Sequence, residues 1–168
     1  MSVAGEGAGV DTGTYRHAMG RLAKGVAVLT TTAGAQDHAL TANSLTSVSL
    51  EPVLLLVCVE TDARFHDAAR ESGVFGVSIL AADQRALAAW FATPGRPLPG
   101  QMDRAPHHRA ESGVALLDGC LATLECDVRD IHPAGDHSIF VGAVRAARLA
   151  ADPKAALVHF RGQYSALT

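Results

Sequence analysis

A ten-residue stretch in the second half of the chain alternates between two kinds of side chain. Cys120, Ala122, Leu124, Cys126 and Val128 are interleaved with Leu121, Thr123, Glu125, Asp127 and Arg129. A period of two is typical of a strand with one buried face and does not suit a helix. A turn at Pro133-Ala134-Gly135 and a further strand at residues 138–149 follow. The fold must therefore accommodate two long, neighbouring antiparallel strands.

The rest of the chain contains more strand patterns than helix patterns. Strands are predicted at residues 26–32, 53–59, 74–80 and 157–164, and residues 38–42 suit a returning strand after a turn at 33–37. The run 53–59 is continuously apolar, which suits a strand buried on both faces. The sequence therefore predicts a mainly β protein, a small closed or partly closed antiparallel barrel with flanking helices.

Three short segments have helical periodicity. The first begins at an N-cap Thr14, carries Tyr15, Ala18, Met19 and Leu22 on one face, and ends at Gly25. The second covers residues 62–70, with Phe65, Ala68 and Ala69 directed inward. The third is capped by Asp83 and places Leu87, Trp90 and Phe91 on one side.

The length of 168 residues suits one domain. Residues 1–14 are rich in glycine and have little to bury, so they are predicted to form a mobile tail before a domain at residues 15–168. Residues 93–113 contain four prolines and no periodicity, and a loop of this length in a compact domain is usually functional or mobile.

Composition excludes several classes of protein. Hydrophobic residues make up 48%, which excludes a wholly disordered chain. The formal charge of −3 gives no electrostatic footprint for nucleic acid or for an anionic membrane. The apolar run 53–59 is far shorter than the roughly 20 residues of a membrane-spanning helix. The three cysteines form no CxxC pair and no signal peptide is recognisable, so a cytoplasmic location is predicted.

Common catalytic motifs are missing from the sequence. There is no GxSxG elbow, no phosphate-binding GxxxxGK[ST] loop and no HExxH. His107 and His108 are adjacent, and ordinary ligand spacings favour two loop histidines in water over a metal site. No metal is expected.

Two segments remain as candidates for binding. Residues 41–52 concentrate small hydroxyl and amide side chains, which allow the backbone to approach an anion or a polar ring closely. A polar turn whose side chains bond their own backbone explains the same composition. Gly135-Asp136-His137 places a histidine beside an aspartate at a strand end. Two interpretations stay open: the histidine contacts a ligand, or the segment is a turn with an ordinary exposed histidine.

Taken in order, these segments resemble the flavin reductase-like family, which includes reductase components of two-component flavin monooxygenases. The matching stretches are residues 15–25 with 26–32, 40–44, 47–52, 75–80 with Gln84, 135–137 with Gly142, and 160–164. The resemblance covers roughly residues 15 to 165. One departure is Ser78, where the family commonly has Asn.

The resemblance implies an FMN-binding split barrel with Greek-key-like antiparallel strands. It also implies a homodimer that binds FMN or FAD near the subunit interface. Such an enzyme transfers a hydride from NADH, or from NADPH, to the flavin and supplies reduced flavin to a partner oxygenase. Those cofactors carry the redox chemistry themselves, so the chain needs no nucleophile of its own.

The resemblance also assigns site residues. His137 is implied as the catalytic residue where the nicotinamide stacks on the flavin, with Asp136 orienting it and Tyr164 nearby. The flavin-binding residues that it implies are Thr41, Ala42, Asn43, Ser44, Ser47, Val48, Ser49, Leu50, Thr61, Arg64, Phe65 and Gln84, of which Thr61, Arg64 and Phe65 lie towards the phosphate.

Two alternatives stay open at this point. Related split barrels include pyridoxamine-phosphate oxidases, which need a denser set of basic residues than a chain with two lysines offers. A non-enzymatic flavin-binding or sensing protein would bind flavin without oxidising NADH or NADPH.

Overall fold

The computed structural model describes residues 9–152 and 154–168. Its helices are α1 (Thr12–Met19), α2 (Arg64–Ser72) and α3 (Arg85–Ala92), and a 3₁₀ turn at Ala82–Gln84 precedes α3. The strands of the first half are β1 (Lys24–Gly25), β2 (Ala27–Ala33), β3 (Gln36–Ala42), β4 (Thr46–Leu50), β5 (Val53–Glu60) and β6 (Val74–Ile79). The second half adds β7 (His107–Arg109), β8 (Ala115–Leu117), β9 (Ala122–Ala134), β10 (His137–Leu149), β11 (Ala156–Phe160) and β12 (Gln163–Leu167).

The main sheet has seven antiparallel strands in the order β3-β2-β6-β9-β10-β5-β4. Its centre is the long β9–β10 hairpin that the alternating pattern predicts, interrupted by two register shifts. A three-stranded sheet, β1-β11-β12, and a β7–β8 hairpin complete the architecture. The predicted mainly β, antiparallel fold with flanking helices is therefore confirmed.

The main sheet curls so that its two ends approach each other. Ser44 follows β3, and its hydroxyl donates to the carbonyl oxygen of Cys58 on β5 at 3.0 Å and accepts from the Cys58 N–H at 3.1 Å. The interior contains a large apolar cluster that includes Leu29, Val57 and Phe140. Burial of such side chains is the dominant stabilising term for a fold of this kind.

Glycine is required at one position of β10, where the strand lies against a buried aromatic ring. A Cβ on Gly142 of β10 would lie 2.6 Å from Cζ of Phe75, whose ring is fully buried. The absence of a side chain at this position therefore lets the Phe75 ring fill the barrel.

The predicted helices exist, but their caps differ. Helix α1 begins at Thr12 and is capped by Asp11, whose carboxylate accepts from the backbone N–H of Thr14 at 2.8 Å, so Thr14 is not the N-cap. The helix ends at Met19 and not at Gly25, so Leu22 lies beyond it. The tail boundary predicted at residue 14 therefore overlaps this helix, while residues 1–8 lie outside the described part of the chain. Asp83 does not cap α3 and instead receives a hydrogen bond from Lys154.

Two strand predictions also need correction. Strand β5 is not buried on both faces, since its burial alternates along Val53–Glu60. The stretch 157–164 is not one strand, because a turn at Arg161 and Gly162, both with positive φ, divides it into β11 and β12.

The proline-rich segment after α3 covers the outer face of β9. Glu125 and Thr123, predicted to face solvent, are buried there, and the Glu125 carboxylate accepts from the backbone N–H of Ser112 at 2.6 Å. The same segment is fastened by Arg96, which donates to the carbonyl oxygens of Phe91 and Ala39. The segment is therefore a packed cover over much of its length.

Candidate active site

Two adjoining cavities open beside the closure of the barrel. Cavity A has a volume of about 440 Å³ and lies between the end of β3, the ends of β5 and β10, the end of α3 and the small sheet. It is lined by Val26, Leu40, Thr41, Ala42, Asn43, Ser44, Cys58, Glu60, Ala63, Ala92, Pro94, His137, His159 and Tyr164. Cavity B, of about 990 Å³, shares Asn43, Ser44, Cys58, His137 and Val26 with it and extends along α1.

The first wall of cavity A is formed by residues 41–44, the connection predicted to bind flavin. Two of its polar side chains bond other parts of the chain: Thr41 donates to the carbonyl oxygen of Ala88 at 2.7 Å, and Ser44 holds Cys58. Both hydroxyl hydrogens are thus used within the protein, but on distant strands and helices and not on the backbone of their own turn, so these two residues do not follow the polar-turn alternative. Asn43 is the member whose amide faces another side chain of the cavity, His159.

The second wall is the turn that joins β9 to β10. The Nδ1–H of His137 donates to the Asp136 carboxylate at 2.7 Å. The carbonyl oxygen of Asp136 accepts from both the N–H and the hydroxyl of Thr61, at 3.0 and 3.1 Å. Glu60 pairs with His137 across the β5–β10 ladder, so both reach cavity A. Hydrogen bonding and charge from His137 hold the pKa of Asp136 below its usual range.

A third group of side chains comes from the small sheet. His159 on β11 pairs with Tyr164 on β12, and their rings meet edge to face with centroids 5.6 Å apart. Asn43 Nδ2 lies 3.3 Å from His159 Nδ1. Burial raises the pKa of the Tyr164 phenol. Tyr164 and His137 thus both line cavity A, and His159 lines it with them.

Sequence reasoning missed His159 because it was assigned to the middle of a continuous strand. Its position five residues before Tyr164, across the Arg161-Gly162 turn, is the signal that would have placed it opposite the tyrosine. Glu60 was missed in the same way, since it ends a strand judged only by its apolar run.

Other residues assigned by the resemblance lie outside these two cavities. Ser47, Val48, Ser49 and Leu50 belong to the edge strand β4, where Ser49 receives a hydrogen bond from the backbone of Glu51. Phe65 is buried, and Arg64 donates to the carbonyl oxygen of Arg96 at 2.7 Å. Both line a neighbouring cavity of about 290 Å³ that shares Glu60, Ala63 and Pro94 with cavity A. Thr61 supports the Asp136 turn and lines neither cavity A nor cavity B.

Gln84 has a structural role in this fold. Its amide oxygen accepts from the backbone N–H of Ala81 at 3.0 Å, and its amide nitrogen donates to the carbonyl oxygen of Asp118 at 2.8 Å. The side chain is buried away from cavities A and B. Ser78 is likewise buried, accepts from the backbone N–H of Leu117 at 3.0 Å and lines neither cavity A nor cavity B.

The loop histidines are bound to neighbouring protein groups. His107 donates to the carbonyl oxygen of Ala105, and His108 pairs with Asp118. Within residues 9–152 and 154–168, no group of three or more His, Cys, Asp or Glu side chains is arranged to hold a metal ion. No helix in the same residues is long and apolar enough to cross a membrane.

A curled antiparallel barrel with a cavity at its closure is typical of the cofactor-binding split barrels. The family model described as flavin reductase like domain matches residues 19–168, and the chain belongs to this family. A NADH-dependent flavin reductase from Rhodococcus sp. is 41% identical over 156 residues, which cover 90% of this chain and 84% of that protein.

Solved structures of flavin reductases are also similar to this chain. BorF, the flavin reductase component of a bacterial two-component tryptophan halogenase, is 46% identical with a TM-score of 0.88, covering 94% of this chain and 98% of that one. The NADH:FAD oxidoreductase SgcE6 of Streptomyces globisporus C-1027, in complex with NAD and FAD fragments, is 35% identical with a TM-score of 0.86, and 92% of each chain is covered.

The residues of cavity A fit a flavin ring. A volume of about 440 Å³ is within the range of small-molecule sites. The lining combines apolar surface from Val26, Leu40 and Ala63 with a few polar side chains, which is the composition of small-molecule sites in general and suits a largely apolar ring with polar edges. Cavity B beside it provides room for the remainder of a nucleotide.

Proposed function

We propose that this protein is an NADH-dependent flavin reductase that supplies reduced flavin to a separate flavin-dependent oxygenase. The observation that carries the proposal is that cavity A joins the 41–44 connection to His137 and Tyr164 in a chain of the flavin reductase-like family. A bound flavin accepts a hydride from a reduced nicotinamide, and this chemistry belongs to the cofactors. The chain itself must align the two rings.

The chain's contribution is orientation. Because Asp136 holds the Nδ1–H of His137, the imidazole plane is fixed and its Nε2 is left to meet the nicotinamide. Thr61 anchors the turn that carries both residues. Holding two reactants at a near-attack distance is one of the largest contributions that a protein makes to such a transfer.

The homodimer is part of the proposal. Apolar side chains are exposed around cavity B and on the edge strand, including Tyr15 and Leu22, each 55% exposed, and Leu50, which is 85% exposed. Apolar patches of this kind are typical of protein interfaces. A second copy over this face would cover cavity B. Analytical ultracentrifugation should give twice the chain mass of 17.4 kDa, and a sedimenting monomer would contradict the dimer.

The identity of the flavin and the location of the protein in the cell are also part of the proposal. FMN and FAD both stay open as the flavin, because relatives are named as reductases of each. A cytoplasmic location is supported by Cys58, Cys120 and Cys126, which are all free thiols. Burial raises the pKa of Cys126 to about 12 and that of Cys120 to about 11, so both are unreactive thiols near neutral pH.

The direct test is anaerobic oxidation of NADH by the purified protein without flavin, with FMN and with FAD. We expect rapid oxidation only when flavin is present, and the better flavin identifies the substrate. NADPH in place of NADH tests the nucleotide preference. Tight flavin binding without oxidation of either nucleotide would contradict the reductase and favour a flavin-binding protein.

A further inference from the structure

Cavity A contains a second imidazole in addition to that of His137. His159 lines the cavity from the small sheet, and nothing in its family resemblance gave it a role. Its Nδ1 is engaged by Asn43, and its ring packs edge to face on Tyr164. The ring is therefore fixed on two sides, and within the described residues no side chain or backbone group is hydrogen-bonded to its Nε2.

The hydrogen bond from Asn43 determines which nitrogen of a neutral His159 carries the proton. The Nδ2 of an asparagine amide can only donate, so His159 Nδ1 accepts at 3.3 Å and the proton lies on Nε2. His137 has the opposite arrangement, because its Nδ1–H donates to the Asp136 carboxylate and its Nε2 is the unprotonated nitrogen when the ring is neutral. The two imidazoles thus offer a donor and an acceptor to the same cavity.

The hydroxyl donors of the first wall are already used within the protein, so a further donor at cavity A matters for binding a ligand. Thr41 and Ser44 use their hydroxyl hydrogens on carbonyl oxygens of the chain. Asn43 directs its amide nitrogen to His159. The Nε2–H of His159 is therefore a side-chain donor that the connection 41–44 positions at cavity A, beside the second amide hydrogen of Asn43.

We propose that His159 binds the flavin, donating from Nε2–H to an acceptor atom on the edge of the isoalloxazine ring, with Asn43 as the residue that sets its tautomer. The inference rests on the proposed function, which gives His137 and its wall to the nicotinamide. With the nicotinamide at His137, the flavin ring that stacks on it lies towards residues 41–44, where Asn43 holds His159. A flavin edge carries carbonyl oxygens and unprotonated ring nitrogens that match one N–H donor.

Three substitutions separate the two nitrogens of His159. His159→Gln retains an amide donor near the position of Nε2, His159→Asn retains a polar group near the position of Nδ1 only, and His159→Phe retains the ring without either nitrogen. The affinity for flavin is measured by quenching of flavin fluorescence with no nucleotide present. We expect His159→Asn and His159→Phe to weaken binding about three- to tenfold, and His159→Gln to remain within about twofold of the wild type.

His132 provides the matched control. It lies on β9, is exposed and lines neither cavity A nor cavity B, so His132→Phe should bind flavin as the wild type does. Thermal unfolding of every variant identifies changes in stability. A His159→Phe protein that melts earlier but binds flavin normally would overturn the proposal, because His159 would then only join the small sheet to β3. A change confined to the KM for NADH would also overturn it.

A spectroscopic measurement tests the tautomer independently of activity. In protein labelled with ¹⁵N-histidine, His159 should be protonated at Nε2 when neutral, and His137 at Nδ1. Addition of flavin should shift the His159 Nε2 resonance and leave that of His132 unchanged. A His159 protonated at Nδ1 would overturn the proposal. A wild-type protein that neither binds flavin nor oxidises NADH would instead contradict the proposed function itself.

Discussion

The two walls of cavity A use similar polar residues in opposite ways. On the wall formed by residues 41–44, the hydroxyl groups of Thr41 and Ser44 donate to carbonyl oxygens and fasten the barrel. On the facing turn, the backbone of Asp136 is fastened by Thr61, and the imidazole of His137 remains at the cavity. The first wall therefore shapes the cavity, and the second presents an imidazole to it, which on the proposed function meets the reacting rings.

Because of this difference, substitutions on the first wall should change the stability of the fold, and substitutions on the second wall should change the rate of turnover. A side chain whose polar atoms are satisfied internally contributes to the free energy of unfolding, because its loss leaves its partners unpaired. A side chain with a free polar atom in a cavity contributes to binding or to alignment of the substrate. Substitutions on the two walls should therefore affect different measurements.

The largest expected effect is on the second wall. On the proposed function, His137→Ala removes the imidazole that would meet the nicotinamide, and we expect the kcat for NADH oxidation to fall about 10- to 100-fold because the two rings lose their alignment. The flavin affinity should remain nearly intact. Steady-state kinetics and flavin titration measure the two quantities, and His132→Ala is the control. Loss of flavin binding in His137→Ala would show that the walls do not have separate roles.

Ser44→Ala tests the first wall. The substitution leaves the backbone N–H and carbonyl of Cys58 without their hydroxyl partner, so the free energy of unfolding should fall by about 1–2 kcal/mol. The melting temperature should fall by roughly 3–6 °C. Ser47→Ala on the exposed strand β4 is the control, and it should melt as the wild type does. An unchanged melting temperature for Ser44→Ala would contradict the structural role of this wall.

The period-two pattern was sufficient to predict the β9–β10 hairpin, since alternation depends only on local side-chain chemistry. It could not predict that Glu125 is buried, because the cover comes from a proline-rich segment with no periodicity of its own. The resemblance placed His137 and Tyr164 in one site, where the structure also has them. Residue type alone could not show that the amide of Asn43 contacts another side chain of the cavity while the hydroxyl of Ser44 bonds the backbone of Cys58.

The partner of His159 was equally inaccessible to sequence reasoning. Asn43 and His159 are 116 residues apart, and Asn43 follows β3 of the main sheet whereas His159 lies in the small sheet, so no local pattern joins them. Their contact follows from the closure of the barrel and from the turn at Arg161 and Gly162, which brings β11 and β12 over the cavity. Contacts of this kind require the three-dimensional arrangement of the sheets.

Thr61→Val tests whether the anchoring of the Asp136 turn affects turnover. The variant loses the hydroxyl that donates to the Asp136 carbonyl oxygen but keeps the backbone N–H that donates to the same atom. We expect the kcat for NADH oxidation to fall about two- to threefold, because the turn is held less firmly. Thr61→Ser retains the hydroxyl and should restore the wild-type rate. A lower melting temperature with an unchanged kcat would mean that Thr61 does not act through His137.

The smallest effect concerns the charge of Asp136. Because His137 donates a hydrogen bond to the carboxylate and adds a favourable charge interaction, the pKa of Asp136 is held below the ordinary value of 3.8. The pairing is therefore complete above that value, and it is lost as the pH falls through the lowered pKa. A ¹³C titration of the Asp136 carboxyl should give a pKa below 3.8 in the wild type, and it should rise in His137→Ala. The same pKa in both proteins would mean that the two side chains do not interact in solution, and Asp136 would no longer account for the orientation of His137.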